Sequence, residues 1–271
     1  MPFQTHRDQE LIWLTSELLS QPGVVHGFST RRGGVSAPPW DSLNLGPTRG
    51  DGIECLRENY RRFCGAIGAD HRRVVLSRQV HEENIRLVTE EDAGKGLWRD
   101  RDYTSVDAFI SNTPGVALTV FSADCGIILL YDPVQRAIGA VHAGWRGVAA
   151  GLVRKTALEM VRRFGTDPAQ LRCAIGPAIG QCCFETDDDV PAALRAALGD
   201  TVDDYMERRG GKWHIDLKGI NAYWLRSIGV QHIDFCDHCT ACRTDLYWSH
   251  RKMGEERGVQ AAMIALQEER L

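Results

Sequence analysis

Short apolar runs and longer amphipathic stretches follow one another along this chain. Val24 to Ser29, Val74 to Val80, Ile85 to Thr89, Val106 to Ser111, Val116 to Phe121 and Ala137 to Val141 are runs of strand length and character, and each predicts a β-strand. Ile127 to Tyr131 is a further apolar run, stopped by the turn Asp132-Pro133. Cys173 to Ile175, Val230 to Phe235 and Val259 to Leu266 read as later strands, the first running into Gly176-Pro177. Helical periodicity appears at Ile53 to Ile67, with Asp51 or Gly52 as cap, and at Val148 to Phe164, closed by Gly165. Val190 to Leu198 and Leu217 to Ile228 predict two more helices, and Asp167-Pro168 reads as an N-cap with proline at the first helical position. Leu11 to Ser20 is a short apolar segment ended by Pro22-Gly23, and Glu90 to Arg101 is a polar, glycine-bearing loop. Strands and helices mix without a regular βαβ alternation, so the pattern predicts an α+β fold with mixed sheets.

Composition narrows the picture. A chain of 271 residues, 43% apolar and 25% charged, is long enough to bury a full core as one large domain or two small ones. Its net charge of −4 lacks the basic footprint of a nucleic-acid binder. No run approaches the roughly 18 apolar residues of a membrane helix, and Met1 to Asp8 lacks the order of a signal peptide, so a cytoplasmic protein is expected. Its 9 cysteines then read as buried thiols, metal ligands or catalytic groups.

Cys125, in Ser122-Ala123-Asp124-Cys125, and His142, in Val141-His142-Ala143-Gly144-Trp145-Arg146-Gly147, lie 17 positions apart, each just after an apolar run. Two strands ending side by side would join them as a nucleophile–base pair or as two thirds of a metal site. His81 follows the Val74 run as a third metal-capable group, and three ligands with one open position suit catalytic zinc. Cys236-Asp237-His238-Cys239-Thr240-Ala241-Cys242 has C-x2-C-x2-C spacing, but Leu246 stands where a fourth cysteine belongs. The adjacent Cys182-Cys183 reads as packing or chance. Thr30-Arg31-Arg32-Gly33-Gly34 is either a turn or a loop letting backbone N–H groups and a guanidinium approach an anion. No P-loop, G-x-G-x-x-G, G-x-S-x-G or H-E-x-x-H occurs.

Gly27-Phe28-Ser29-Thr30-Arg31 with Gly33-Gly34-Val35-Ser36, Ser42-Leu43-Asn44-Leu45-Gly46, Gln79-Val80-His81, Ala123-Asp124-Cys125, His142 to Gly147 and Gly176-Pro177-Ala178-Ile179 come in an order that resembles a known family, with weaker matches at Cys239-Thr240 and Ser249-His250-Arg251. It is the YfiH/YlmD family of bacterial purine nucleoside phosphorylases, long described as polyphenol oxidases or laccases. The motifs run from about residue 24 to the C-terminus of a single domain spanning 1–271. The resemblance implies a four-layer α/β/β/α fold with mixed sheets, like the catalytic domain of cytotoxic necrotizing factor. It implies zinc on His81, Cys125 and His142, and phosphorolysis of adenosine, inosine, guanosine and methylthioadenosine, with adenosine deamination beside it. The chain departs from the family pattern at Glu82, Gly126-Ile127, Phe184-Glu185-Thr186 and Trp248-Ser249-His250-Arg251-Lys252.

Phosphorolysis needs an anion on one face of the ribose and a stabilised leaving base on the other. Arg146 and Arg31, with Gly33, Gly34 and Asn44, are expected to hold phosphate, and Asp124 or His26 to handle protons. Cys125, His142, Arg146 and Asp124 are thus the expected catalytic set. Expected partners are a purine nucleoside and phosphate, with no nucleic acid and no membrane, acting on a monomer or weak homodimer. The competing readings are a metal-free thiol hydrolase or amidase built on Cys125 and His142, with peptidoglycan-precursor editing as its use, and a binding module for a cell-wall or cell-division partner. A copper oxidase is disfavoured because the chain lacks His-x-His pairs.

Overall fold

The computed structural model describes residues 2–268. Strands β1 (Phe3–Asp8), β2 (Leu11–Ser16) and β3 (Val24–Ser29) precede helix α1 (Ile53–Ile67). Then come β4 (Val74–Leu76), β5 (Ile85–Leu87), β6 (Ala108–Ser111), β7 (Ala117–Ser122), β8 (Gly126–Asp132) and β9 (Ala137–Ala143). Helices α2 (Trp145–Ala149) and α3 (Leu152–Phe164) lead to β10 (Arg172–Ile175), β11 (Glu185–Thr186) and α4 (Asp189–Leu198). The chain closes with β12 (Met206–Arg209), β13 (Lys212–Ile215), α5 (Leu217–Arg226), β14 (His232–Phe235), α6 (His250–Met253) and β15 (Gln260–Leu266).

Two six-stranded sheets carry the fold, in the orders β1-β2-β3-β15-β7-β4 and β14-β10-β8-β9-β6-β5, beside a small sheet β11-β13-β12. Both large sheets are mixed: β4/β7, β5/β6 and β10/β14 pair in parallel among antiparallel neighbours. Their alternation shows why strands such as β8 read as unbroken apolar runs. Ile127, Leu129 and Tyr131 face Phe28, Leu118, Val120 and Ile264 of the other sheet, while Ile128 and Leu130 face Leu152, Ala157 and Met160 of α3. A strand buried on both faces has no polar side to show. The outer face of the first sheet is covered by Leu56, Tyr60, Phe63 and Ile67 of α1. The α+β expectation holds.

Several local expectations change. The run Val74 to Val80 forms a strand only to Leu76. Beyond it the Gln79 side chain takes over the ladder's role, accepting from the Phe121 N–H at 2.7 Å and donating to the Phe121 carbonyl at 2.9 Å. His81 therefore sits in a loop with φ of 62°, not at a strand end. The single helix expected at Val148 to Phe164 is two, broken at Gly151, whose φ of 67° is left-handed. Asp167-Pro168 opens a turn rather than a helix. Strands β1, β11, β12 and β13 had no signal in the apolar pattern because their residues are mostly exposed or half-buried, β1, β11 and β12 at sheet edges and β13 at the centre of the small sheet.

Candidate metal and anion site

Cys125 and His142 meet for a reason different from the expected one. The strand before Cys125, β7, and the strand that carries His142, β9, lie in different sheets. Cys125 is instead the last residue of the turn into β8, and β8 pairs antiparallel with β9, placing Gly126 opposite Ala143 and Ile127 opposite His142. The start of one strand thus lies against the end of its neighbour. His81 approaches from its loop, with Nε2 3.9 Å from the Cys125 Sγ and its ring edge-on to His142 at 5.0 Å. One ligand atom from each of His81, Cys125 and His142 lies within 4.8 Å of the others. Gly144 makes room for this approach: a Cβ there would stand 2.7 Å from His81 Cδ2 and 3.3 Å from the Cys125 sulfur.

Asp107, which sequence reasoning missed, organises the trio. Its Oδ1 lies 2.9 Å from His142 Nδ1 and accepts from the His81 N–H at 3.1 Å. Its Oδ2 accepts from the N–H groups of Val80 and Glu82, each at 3.1 Å. One fully buried carboxylate therefore fixes both the loop that carries His81 and the tautomer of His142, leaving His142 Nε2 free to ligate or take a proton. Burial alone would raise Asp107, but His142 and these N–H groups outweigh it and hold the carboxyl below its usual range. Burial likewise opposes charge on Cys125 and His142. Mutual attraction wins, with Asp107 helping, and brings the thiol down to about 6 and the imidazole up to about 9. A thiolate beside imidazoles fits a soft divalent cation, and it is equally the ground state of a thiol nucleophile.

The trio opens into a cavity of about 370 Å³ also lined by Arg49, Arg78, Arg101 and Arg257. These arginines carried no motif and were missed by sequence reasoning; their only signal is that three flank short Gly-bearing segments. Arg257 is 6% exposed, its Nη1 bonds only the Gly258 carbonyl, at 3.2 Å, and its Nε has no partner. Burial, and Arg49 beside it, push the guanidinium down to about 10, against the weaker pull of Glu255, Asp124 and Cys125, none of which pairs with it directly. Burial also pushes Arg101 down. A buried cation without a carboxylate partner is costly, and an anion in the cavity would compensate it.

The residues expected to hold phosphate do other work. Arg31 lies over the Trp248 ring at 4.0 Å, bonds the Asp41 and Thr244 carbonyls at 3.0 and 3.1 Å, and pairs with the Asp41 carboxylate at 3.6 Å. The N–H groups of Gly33 and Gly34 both donate to Ser42 Oγ at 3.1 Å. Asn44 is buried and accepts from the Gly46 and Val259 N–H groups at 3.0 and 3.1 Å, bracing two residues of the cavity wall. Arg146 is exposed and stacks 4.3 Å over Trp145. None of these five residues lines the cavity.

The two expected proton carriers are also committed elsewhere. Asp124, at a left-handed φ of 95°, accepts from Thr240 Oγ1 at 2.6 Å, Ser249 Oγ at 3.0 Å and the Arg251 N–H at 2.7 Å. It anchors the turn that presents Cys125. His26 is buried in β3, where its Nε2 accepts from the Ser16 N–H at 2.8 Å.

Comparison with known proteins agrees with the motif order. A family model described as multi-copper polyphenol oxidoreductase laccase matches residues 25–267. Purine nucleoside phosphorylase YlmD of Geobacillus stearothermophilus is 34% identical over 260 residues, covering 93% of each chain. A purine nucleoside phosphorylase of Deinococcus radiodurans is 36% identical over 244 residues, covering 90% of this chain and 89% of that one. The crystal structure of the Bacillus licheniformis hypothetical protein YfiH superposes with a TM-score of 0.90 at 30% identity, over 98% of this chain and 99% of that one. The chain belongs to the YfiH/YlmD family.

Proposed function

We propose that this protein is a zinc-dependent purine nucleoside phosphorylase, cleaving adenosine, inosine, guanosine and S-methyl-5′-thioadenosine with phosphate, with adenosine deamination as a side activity. The carrying observation is one cavity that joins a Cys/His/His donor set to a buried arginine that forms no ion pair among the described residues. The relatives named purine nucleoside phosphorylase support the same reaction. His81, Cys125 and His142 are the metal ligands in this reading. Their soft and borderline donors, with the His142 tautomer already set by Asp107, suit zinc over a hard cation, and nothing in the chain offers the His-x-His pairs of a multicopper oxidase. Held by these three residues, zinc would supply Lewis-acid polarisation of the substrate.

The chain's own groups do the rest. Arg257, with Arg49, Arg78 and Arg101, takes the phosphate role first assigned to Arg31 and Arg146, and sets the anion against the ribose face. Pro47, Val80, Phe121 and Val259 give the cavity an apolar side on which a purine lies. Asp124 acts by positioning Cys125, not by proton transfer. The order of helix, sheet, sheet and helices supports the four-layer likeness to the cytotoxic necrotizing factor domain, as one domain over 1–271. A cytoplasmic monomer or weak homodimer completes the proposal; no helix among the described residues is long and apolar enough to cross a membrane.

The test is phosphate itself. Adenosine and inosine should yield free base and ribose 1-phosphate only when phosphate is present. Absence of base release from every purine nucleoside overturns the reading. One observation favours a second reading: Cys125, His142 and Asp107 are also aligned as a metal-free thiol, base and orienting acid. Amide hydrolysis that survives chelation and is abolished when iodoacetamide alkylates Cys125 would establish that alternative.

A further inference from the structure

Two cysteine motifs that mean little apart come together in space. The C-x2-C-x2-C segment lacks a fourth ligand of its own, and Cys182-Cys183 lies more than fifty positions upstream. The fold brings the two segments side by side through a parallel bridge between Ala178 and Cys239 and a bond from the Thr240 N–H to the Ala178 carbonyl at 3.2 Å. The sulfurs of Cys182, Cys183, Cys239 and Cys242 then all lie within 4.8 Å of one another. Cys242 Sγ is 3.6 Å from Cys182 Sγ and 3.4 Å from Cys183 Sγ. Four sulfurs about 2.3 Å from one tetrahedral ion stand about 3.8 Å apart, so the spacing is that of a single ion. Cys236, the first cysteine of the sequence motif, is buried elsewhere and takes no part.

We propose that Cys182, Cys183, Cys239 and Cys242 form a second, structural zinc site, distinct from the His81–Cys125–His142 trio. The donor set is all thiolate, which selects a soft or borderline tetrahedral cation over magnesium or calcium. The surroundings fit a metal-bound sulfur. The Gly180 N–H donates to Cys239 Sγ at 3.2 Å, the kind of outer hydrogen bond that orients a ligand. Cys182 and Cys242 are exposed, which gives the ion a path from solvent, while Ile179, Ala241 and Phe184 pack on the inner side.

The site has a mechanical consequence. The segments it joins are the ones that hold Asp124: Ile179 N–H donates to the Asp124 carbonyl at 2.8 Å, and Thr240 Oγ1 to its carboxylate at 2.6 Å. Asp124 precedes Cys125. An ion on the four cysteines therefore locks, from behind, the turn that presents the Cys125 sulfur to the cavity.

The test is zinc content of the full chain, purified under reducing conditions without chelator, with X-ray absorption at the zinc edge. Wild type should hold two zinc ions per chain. Cys125→Ala retains all four cysteines of the proposed site and should hold one, in a shell of four sulfurs. Cys182→Ser and Cys242→Ser should each hold one, in a mixed nitrogen and sulfur shell. A single zinc in wild type that is lost in Cys125→Ala overturns the second site and leaves the proposed catalytic site intact. A single zinc that persists with four sulfurs in Cys125→Ala does the reverse. An intact mass 2 Da below the reduced value, mapping to a Cys242 disulfide in protein that binds no all-sulfur zinc, also overturns the proposal. Should the serine variants fail to fold, the Cys125→Ala measurement decides alone.

Discussion

Asp107 shows how much one side chain can organise without touching a substrate. Its carboxylate ties three successive N–H groups of the 80–82 loop to His142 Nδ1. Asp107→Asn keeps the size and loses the charge, so His142 is no longer held in one tautomer. Zinc affinity, read by competition with a chromophoric chelator, should fall about 10- to 100-fold, with kcat/KM following it. Retention of wild-type affinity would mean that the loop, not the carboxylate, sets the site. His26 gives a second test, of stability. Burial, assisted by the nearby His6, lowers its imidazole to about 4. The folded pKa lies below the unfolded one, so the unfolded chain binds the proton first, and stability is lost as pH falls from about 6.5 toward 4. The loss attributable to this group is about 3 kcal/mol across that window. His26→Gln, whose amide oxygen can still accept from Ser16, should flatten that part of the pH–stability curve in urea titrations. These two residues also mark what a sequence can say at this scale. His81, Cys125 and His142 are legible because few side chain types combine with soft cations, whereas any buried aspartate looks like a cap until its partners are seen.

At the scale of elements, the strands that position the site were the legible ones. β8 and β9 are apolar on both faces, and their antiparallel pairing places Cys125 beside His142. What stayed hidden were breaks that depend on neighbours. Gln79 lies inside the run Val74 to Val80 that reads as one strand, yet its side chain replaces the backbone ladder and frees the chain to turn at His81. The apolar period of Val148 to Phe164 likewise runs straight through a break at Gly151. There the left-handed backbone excludes a side chain, and a Cβ would meet the Trp224 ring at 3.2 Å. Gly151→Ala should cost about 1–2 kcal/mol, seen as a lowered urea midpoint with unchanged slope. A neutral result would mean that α2 and α3 can merge into one helix, and the N-terminus of α2, which carries Arg146, would then shift with them.

For the whole molecule, charge and site point in opposite directions. The chain carries a net charge of −4, so its outer surface repels phosphate on average, while four arginines gather around one cavity. That concentration was invisible in the sequence, because Arg49, Arg78, Arg101 and Arg257 are scattered along it and each sits among ordinary loop residues. Only the packing of the loop before α1, the β4–His81 loop, the 95–101 loop and the segment before β15 against one another makes them a site. Screening distinguishes a focused anion site from a diffuse one. At about 0.01 M salt the screening length is roughly 30 Å, and at about 0.15 M it is roughly 8 Å, so the distant acidic surface fades first while the buried Arg257 keeps its hold. Phosphate KM should therefore change by no more than a few-fold over that range, and the KM for inosine should barely move. Arg257→Gln should raise the phosphate KM at least tenfold at both salt concentrations and leave the inosine KM near its wild-type value. If the loss instead disappears at high salt, Arg257 acts as one charge among many at long range. A loss that persists identifies direct contact with the anion, the outcome required of a buried guanidinium that forms no ion pair with a carboxylate among the described residues.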